Sequence, residues 1–348
     1  MLKKDLKPVI RILMLMLMSA CTSILTTFFQ NVTLASESSL EETQKLQKIK
    51  AILDQQPHQI DFAKVKITVD KIIDSSVDAE ATSKKIDRMT MNIISMFPPK
   101  ANSMQKLLTI KKYLYSKGNW NNNTPFKYDF NDPMGTMLKN KLLSNYLITK
   151  KGNCISMPIL FLILGQKVGL NVSLSTAPHH VFVKYTDDDT GQVYNIETTN
   201  SGNFMRSSWY QKYFLITEQA IEKKVYLNLL SKREAASVVT MTYGEHLIKQ
   251  KKYQESIDFF SVILEYYPKS IFSIISKANT YYRLIETKFM AIYPRANMIP
   301  HYKRAEFKYY QYKNKEYFWI AEQLGWREPP KGYNDKYRKL VKQHGVKP

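Results

Sequence analysis

The spacing of apolar residues changes along the chain, and each change indicates a different kind of element. Helical spacing recurs in three early segments, residues 36–60, 76–97 and 103–117. Residues 171–185 and 192–199 instead alternate apolar and polar positions as strands do, and the turn-forming run 187–191 separates them. Beyond about residue 215 the helical pattern returns. We therefore predict an α+β fold with helical segments on both sides of a small antiparallel sheet in the sequence.

One predicted helix, within residues 150–170, has no polar face. Residues 159–164 are all large and apolar, which predicts burial on every side, and the run is too short to cross a bilayer. Pro158 is tolerated only in the first turn, so the helix begins near Cys154, and Gly169 suits its C-terminal cap. Cys154 then lies where backbone N–H groups and the helix dipole favour a reactive thiolate. The alternative is that Cys154 is one more small apolar residue of the core.

The predicted strands carry candidate partners for this cysteine. His179 and His180 lie at the start of one strand, and Glu197 lies on the next. A chain reversal over residues 187–190 places His180 directly opposite Glu197, with the two side chains about 5 Å apart. A register shift of one residue brings His179 opposite Thr198 instead, so the spacing leaves the choice of histidine open. A thiol, a histidine that accepts its proton and an acid that orients the histidine are the parts of a nucleophilic triad.

Metal binding is an alternative use of the same residue types. Cys154, His179, His180 and Glu197 can all be ligands, but no paired spacing such as C-x-x-C supports zinc. The three aspartates 187–189 lack the long ligand loop that a calcium site of the EF-hand type needs, and they suit a solvated turn. We predict neither a metal nor a cofactor.

The segment from Asn102 to Leu215 resembles the transglutaminase-like superfamily of papain-like fold. The residues that carry the resemblance are Gly152-Asn153-Cys154, His180 with the aromatic Phe182 after it, and Glu197 within "NIETT". The resemblance implies a core in which a central buried helix packs on an antiparallel sheet. It also implies the roles of nucleophile for Cys154, base for His180 and orienting acid for Glu197, and so selects His180 over His179. At the acid position the family more commonly has aspartate.

A second resemblance lies in the C-terminal helical region. Val238–Pro268 has the spacing of a tetratricopeptide unit, the helix-pair repeat that bacterial transglutaminase-like proteins can carry behind the core. The matching positions are Gly244, Leu247, Tyr253, Ile257, Phe260, Leu264 and Pro268. A degenerate second unit begins near Lys269, and so few repeats cannot bury a core alone. We expect these repeats to pack on the preceding domain or on a terminal helix near residues 303–325. They would either form a peptide-binding groove or serve only as structural support.

The N-terminus has the layout of an export signal. A basic start is followed by the apolar run 12–18 and then by small residues. Three outcomes are compatible with this layout: a lipoprotein modified at Cys21, cleavage after Ala35, or an uncleaved anchor over residues 12–35. Each predicts an exported protein, periplasmic or membrane-anchored at a bacterial cell envelope. Cys154 is then the only cysteine of the folded part, without a disulfide partner.

The charge balance adds little to these predictions. The chain has 348 residues, with 51 Lys and Arg against 30 Asp and Glu, a formal net charge of +21. Such an excess can favour an anionic surface or nucleic acid. The basic residues are mostly lysines spread along the whole chain, and no nucleic-acid-binding module is recognisable. No nucleic-acid partner is therefore predicted.

These observations give a domain plan and two functional hypotheses. The plan is an export signal or anchor at 1–35, a helical region at 36–100, a transglutaminase-like core at 101–220, tetratricopeptide-like helices at 221–330 and a basic tail at 331–348. The first hypothesis is an exported thiol enzyme that acts on amide or peptide bonds through Cys154, His180 and Glu197. Hydrolysis is preferred over cross-linking because water is the default acceptor. The second is a catalytically inactive scaffold whose helices bind a protein partner and whose N-terminus associates with the membrane.

Overall fold

The structure, a computed structural model, describes residues 40–330 and Gly332. The predicted export signal therefore lies outside the described residues, as does the basic tail apart from Gly332. The described residues divide into two units, one before Lys50 and one from Lys50 onward, and the first, residues 40–49, is helical. Within the described ranges, no helix has both the length and the apolar character needed to cross a membrane.

The second unit combines helices with two small sheets, which confirms the prediction of a mixed helix and sheet fold. Its elements in chain order are α1 (Phe62–Ile73), α2 (Ala79–Ser95), α3 (Ser103–Tyr115), β1 (Lys127–Tyr128), α4 (Leu143–Thr149), β2 (Lys151–Gly152), α5 (Ser156–Lys167), β3 (Val172–Ala177), β4 (His180–Thr186), β5 (Val193–Glu197), β6 (Asn203–Met205), α6 (Ser207–Tyr213), α7 (Glu218–Glu222), α8 (Lys232–Lys249), α9 (Tyr253–Tyr266), α10 (Ile271–Ile285) and α11 (Arg304–Gln323). The predicted helices 76–97 and 103–117 correspond to α2 and α3, each slightly shorter than its pattern.

The helix α5 is the centre of the core. Every residue from Ser156 to Gly165 is buried, because α5 contacts strands β3 and β4 on one side and helices α1, α2 and α3 on others. The helix begins at Ser156, close to the start near Cys154 that the sequence predicts, and the Oδ1 atom of Asn153 accepts the backbone N–H groups of Ile155 and Ser156. Gly169 has a φ of +76°, which suits the C-terminal cap predicted for it.

The main sheet is antiparallel, with the strand order β3-β4-β5-β6. Val183 pairs with Ile196 and Thr186 with Val193, so the same register continued places Glu197 opposite Phe182. The register expected from the sequence, with His180 opposite Glu197, is therefore wrong by two residues. The reversal lies one residue later because the Oδ1 atom of Asp187 accepts the N–H groups of Asp189 and Thr190. An even shift keeps His180 and Glu197 on the same face.

The C-terminal helices pack in chain order, α8 on α9, α9 on α10 and α10 on α11. Helix α8 also contacts α1 and β3, so these helices pack both on the preceding core and on the terminal helix, as expected. At Gly244, an added Cβ would lie 2.4 Å from the ring of Phe260, so the α8–α9 contact requires a glycine there. The assignment of these helices to the tetratricopeptide class stays a prediction.

Candidate active site

Cys154 lies in the turn between β2 and α5, and its side chain is half-buried. Gly152 pairs with Tyr128 of β1, and a Cβ on Gly152 would lie 2.5 Å from the ring of Tyr146 and 2.8 Å from the side chain of Met157. Asn153 is fully buried, and its Oδ1 atom accepts the backbone N–H of Ser156, the first residue of α5. The strand and the helix thus fix the turn on both sides. The Sγ atom of Cys154 is 3.8 Å from the carbonyl oxygen of His179.

The two histidines occupy different environments. His179 is in the turn between β3 and β4 with a φ of +56°, and its side chain is exposed. His180 is the first residue of β4, pairs with Ala177 of β3 and is 3% exposed. The turn thus directs only the imidazole of His180 into the core, beside the helix that begins after Cys154. The structure therefore separates two residues that the sequence pattern alone does not distinguish.

The buried imidazole of His180 is bonded to the buried carboxylate of Glu197. The Nε2 atom of His180 lies 2.7 Å from the Oε2 atom of Glu197. Because of the shifted register, this contact runs diagonally across β4 and β5, a separation that a long side chain can span. The geometry joins His180 and Glu197 as the sequence predicted, by a diagonal rather than a direct pairing.

Three further donors bind the carboxylate of Glu197. Its Oε1 atom accepts the backbone N–H of Thr199 at 3.0 Å and the hydroxyl of Thr199 at 2.6 Å. Its Oε2 atom accepts the hydroxyl of Tyr210 at 2.9 Å. A fully buried carboxylate is costly unless it is hydrogen-bonded and paired. Here both oxygens are satisfied, so the carboxylate and its orientation are fixed.

The pKa values of the pair favour the charged forms of both groups. Burial lowers the pKa of His180, but the negative charge of Glu197 and the contacts with Cys154 and Glu197 outweigh burial and raise that pKa to about 10. Burial raises the pKa of Glu197, but the facing charge of His180 and the hydrogen bonds from His180 and Thr199 lower it overall. At neutral pH the two groups therefore form an imidazolium–carboxylate pair.

The second ring nitrogen of His180, Nδ1, is buried and has no hydrogen-bond partner among the described residues. Since Glu197 holds Nε2, Nδ1 is the nitrogen that remains for Cys154, whose side chain contributes to the raised pKa of His180. An imidazole held at one nitrogen by a carboxylate, with its other nitrogen beside a thiol, has the chemical parts for proton transfer to and from sulfur.

Aromatic rings enclose the His180 side chain. The ring of Phe214 stacks on it, with centroids 5.0 Å apart, and Phe182 stacks on Tyr210 at 4.1 Å. No role for Tyr210, Phe214 or Thr199 is predicted from the sequence. One signal was present: Tyr210, Tyr213 and Phe214 recur at helical spacing directly after the last strand, which places large rings on one face of a helix beside the sheet.

The loop upstream of the cysteine also borders the site. Burial, the nearby Cys154 and Asp132 raise the pKa of Tyr128, and the hydroxyl of Tyr128 donates to the carbonyl of Pro133 at 2.7 Å. The Nδ2 atom of Asn140 donates to both Asp129 and Asp132 at 3.1 Å. These contacts hold the segment 128–140 in a fixed shape beside Cys154.

A cavity of about 290 Å³ opens beside Cys154 and His180. One side is formed by the core, including Met134, Ile155 and Val181, and the other by residues of α8 and α10. Within residues 40–330, no group of three or more His, Cys, Asp or Glu side chains is arranged to hold a metal ion.

Comparison with protein-family models gives a match over the part of the chain that holds this site. The family model described as transglutaminase-like superfamily matches residues 80–239. This range begins in α2, ends within α8 and includes Cys154, His180 and Glu197. No curated protein and no solved structure matches the chain. Residues 80–239 therefore form a domain of the transglutaminase-like superfamily.

Proposed function

We propose that this chain is a thiol enzyme that hydrolyses amide or peptide bonds, with Cys154 as nucleophile, His180 as general base and acid, and Glu197 as the orienting carboxylate. The observation that carries the proposal is the 2.7 Å contact between His180 and Glu197, which leaves the other ring nitrogen of His180 for Cys154. The matched superfamily domain supports a cysteine-type enzyme as a class.

The proposed reaction has two halves. His180 holds the proton of the Cys154 thiol as an imidazolium, the thiolate sulfur of Cys154 bonds to the carbonyl carbon, and the carbonyl π electrons move to oxygen, where the backbone N–H of Cys154 donates to the oxyanion. The C–N bond then breaks, the leaving amine takes the proton from His180, and a thioester remains. Water attacks the thioester, His180 takes a proton from it, the S–C bond breaks, and the thiol regains its proton as the acid leaves.

Water is the proposed acceptor because an amine acceptor needs a binding site of its own. The proposed substrate is a peptide or protein, and the proposed location is the cell envelope, supported by the basic and apolar N-terminal segment. In the same proposal the C-terminal helices, with the spacing of a tetratricopeptide unit, contribute to partner or substrate binding.

The test is the pH dependence of Cys154 alkylation by iodoacetamide in the full-length chain. Peptide-level mass spectrometry distinguishes Cys154 from Cys21, and glutathione supplies the reference rate of a free thiol. We expect Cys154 to react faster than glutathione at pH 6. His180→Ala should slow the reaction at least about tenfold, whereas His179→Ala, the matched exchange at the exposed neighbour, should change it little.

Two results would contradict the proposal. One is a slow reaction of Cys154 at pH 6 that is insensitive to His180→Ala, which would favour the scaffold hypothesis. The other is an equal effect of the two histidine variants. His180→Asn serves as a second variant if His180→Ala does not fold, because asparagine keeps a polar side chain in the buried site while it cannot act as a base.

A further inference from the structure

We propose that the cavity beside Cys154 binds a bulky apolar group close to the scissile carbonyl, so that the substrate is a neutral amide with an aliphatic or aromatic substituent. This inference rests on the proposed function of the same site. It adds the chemical class of the substrate and assigns its recognition in part to helices that follow the matched superfamily domain.

The lining of the cavity is predominantly apolar. Side chains from both the core and the C-terminal helices contribute, among them Ile155, Val181, Val238, Met241, Ile275 and Trp326. Transfer of an apolar group from water to such a surface is favourable in proportion to the area covered. A volume of about 290 Å³ is close to the lower end of small-molecule sites, roughly 300 Å³, and suits a single side-chain-sized group.

The fixed charges of the cavity compensate each other. Among the described lining residues, Lys141 and Glu245 form an ion pair with each other, and the imidazolium of His180 is paired with Glu197. The cavity therefore offers no unpaired fixed charge to an ionic substituent. A charged group placed here would lose hydration without a free counter-ion, so the site favours a neutral substituent.

The helices beyond the matched domain supply one wall. The family match ends at residue 239, whereas Met241, Phe272, Ile275 and Ser276 of α8 and α10 line the cavity. The domain itself carries Cys154, His180 and Glu197. Part of the cavity wall is thus supplied by residues that follow the matched range.

A set of matched alkylating reagents tests the inference on the full-length chain. 2-Iodo-N-benzylacetamide adds an apolar group to iodoacetamide, and 2-iodo-N-(carboxymethyl)acetamide adds a charged one. In each reaction the sulfur of Cys154 forms a bond to the CH2 carbon and iodide leaves. Rates are divided by those with glutathione to remove differences in reagent reactivity. We expect the corrected rate for the benzyl reagent to exceed that for iodoacetamide about tenfold or more, and the carboxylate reagent to show no such gain.

A cavity-filling variant tests whether the preference for the benzyl reagent arises in this cavity. Ser276 is half-buried and lines the cavity, and we expect Ser276→Phe to abolish the preference for the benzyl reagent, measured as the ratio of the two corrected rates. Ser95→Phe is the matched control, since Ser95 is exposed at the end of α2 and does not line this cavity. Asn279→Phe, at an exposed lining position of the same helix, serves as a second variant.

The outcomes separate the two proposals. Fast, His180-dependent reaction with iodoacetamide but no preference for the benzyl reagent overturns the apolar site and leaves the thiol enzyme intact. A preference that survives both filling variants overturns the assignment to this cavity. Slow, His180-independent reaction with every reagent overturns the proposed function and this inference with it.

Discussion

Glu197 illustrates how a buried charge is stabilised at this site. Its carboxylate is fully buried and accepts four hydrogen bonds, from His180, Tyr210 and the N–H and hydroxyl of Thr199. Because the register places Glu197 opposite Phe182 rather than His180, the carboxylate must reach diagonally across the sheet. The extra methylene of glutamate, compared with the aspartate more common at this position of the family, suits that longer reach.

The Tyr210 hydroxyl is the donor to Glu197 that can be removed with the least change of shape. We expect Tyr210→Phe to lower the free energy of unfolding by about 1.5–3 kcal/mol, since a hydrogen bond to a buried charge is lost. Tyr194→Phe, which removes an exposed bond to Gln192, should cost less than about 0.5 kcal/mol. Urea unfolding of both variants measures the difference. Equal losses would show that the buried tyrosine hydroxyl has no special role.

The imidazolium–carboxylate pair gives stability a defined pH dependence. The pKa of His180 is about 10 in the folded chain against an ordinary value of 6.5. Its stabilising contribution is therefore fully present below pH 6.5 and is lost as the pH rises towards 10, because the folded state retains a proton that the unfolded state releases. In Glu197→Gln the negative charge is removed, so burial lowers the pKa of His180. The loss of stability between pH 6.5 and 10 should then disappear.

The measurement is the difference in free energy of unfolding between the wild type and Glu197→Gln from pH 6.5 to 10. The difference removes the contributions of lysines and tyrosines that titrate in the same interval in both proteins. We expect the advantage of the wild type to shrink steadily as the pH rises. A constant difference across the interval would mean that the two groups are not coupled as described.

At the scale of elements, the junction between β2 and α5 determines where the thiol lies. Gly152 fits between Tyr146 and Met157 only because it lacks a side chain, and the Oδ1 atom of Asn153 accepts the N–H groups of Ile155 and Ser156, where α5 begins. The strand, the cap and the buried helix are consecutive in sequence. Local contacts thus position Cys154 together with the pairing of Gly152 with Tyr128 of β1.

Gly152→Ala tests this junction. We expect a loss of about 1–3 kcal/mol from overpacking, together with a slower alkylation of Cys154, because the new Cβ would displace the turn that holds it. Gly191→Ala is the control: Gly191 has a φ of +69° and no atoms close to the added Cβ, so strain should cost about 1–2 kcal/mol while the alkylation of Cys154 stays unchanged. Thermal unfolding and iodoacetamide rates give the two readouts. Unchanged alkylation in Gly152→Ala would refute the positioning role.

At the scale of the whole second unit, the domain and the C-terminal helices share one hydrophobic core. A single cluster of buried residues joins Phe182 and Phe214 of the domain with Ile271 and Ile274 of α10 and Ala321 of α11. Helices that are distant in sequence from the triad residues thus pack against the rings that enclose His180. Stability of the site and stability of the C-terminal helices are therefore coupled.

The ion pair between Lys141 and Glu245 tests that coupling, because it joins the loop before α4 to α8 across the cavity. We expect Lys141→Met and Glu245→Gln each to lower the free energy of unfolding by about 1–3 kcal/mol, since each leaves a partly buried group unpaired. In the double variant the loss of unfolding free energy should be smaller than the sum of the two single losses, with a coupling energy of about 1 kcal/mol or more. Strict additivity in denaturant unfolding would refute the pairing.

The sequence by itself determined what depends on neighbours along the chain. Apolar spacing and turn residues gave the buried helix, the strands and the position of Cys154 at the start of α5, because caps, periodicity and helix ends are local properties. The alternation along β4 and β5 also placed His180 and Glu197 on a common face, because an even change of register conserves the face of a strand.

Only the tertiary structure decided what depends on segments far apart in the chain. The register across β4 and β5 shifted by two residues because side-chain bonds of Asp187 fix the turn in a way that composition does not reveal. The Tyr210 bond to Glu197 depends on how α6 packs against the sheet, and the cavity wall formed by Met241 and Ile275 depends on where α8 and α10 lie. Such contacts follow from the mutual fit of packed elements, a property of the folded core that no single segment encodes.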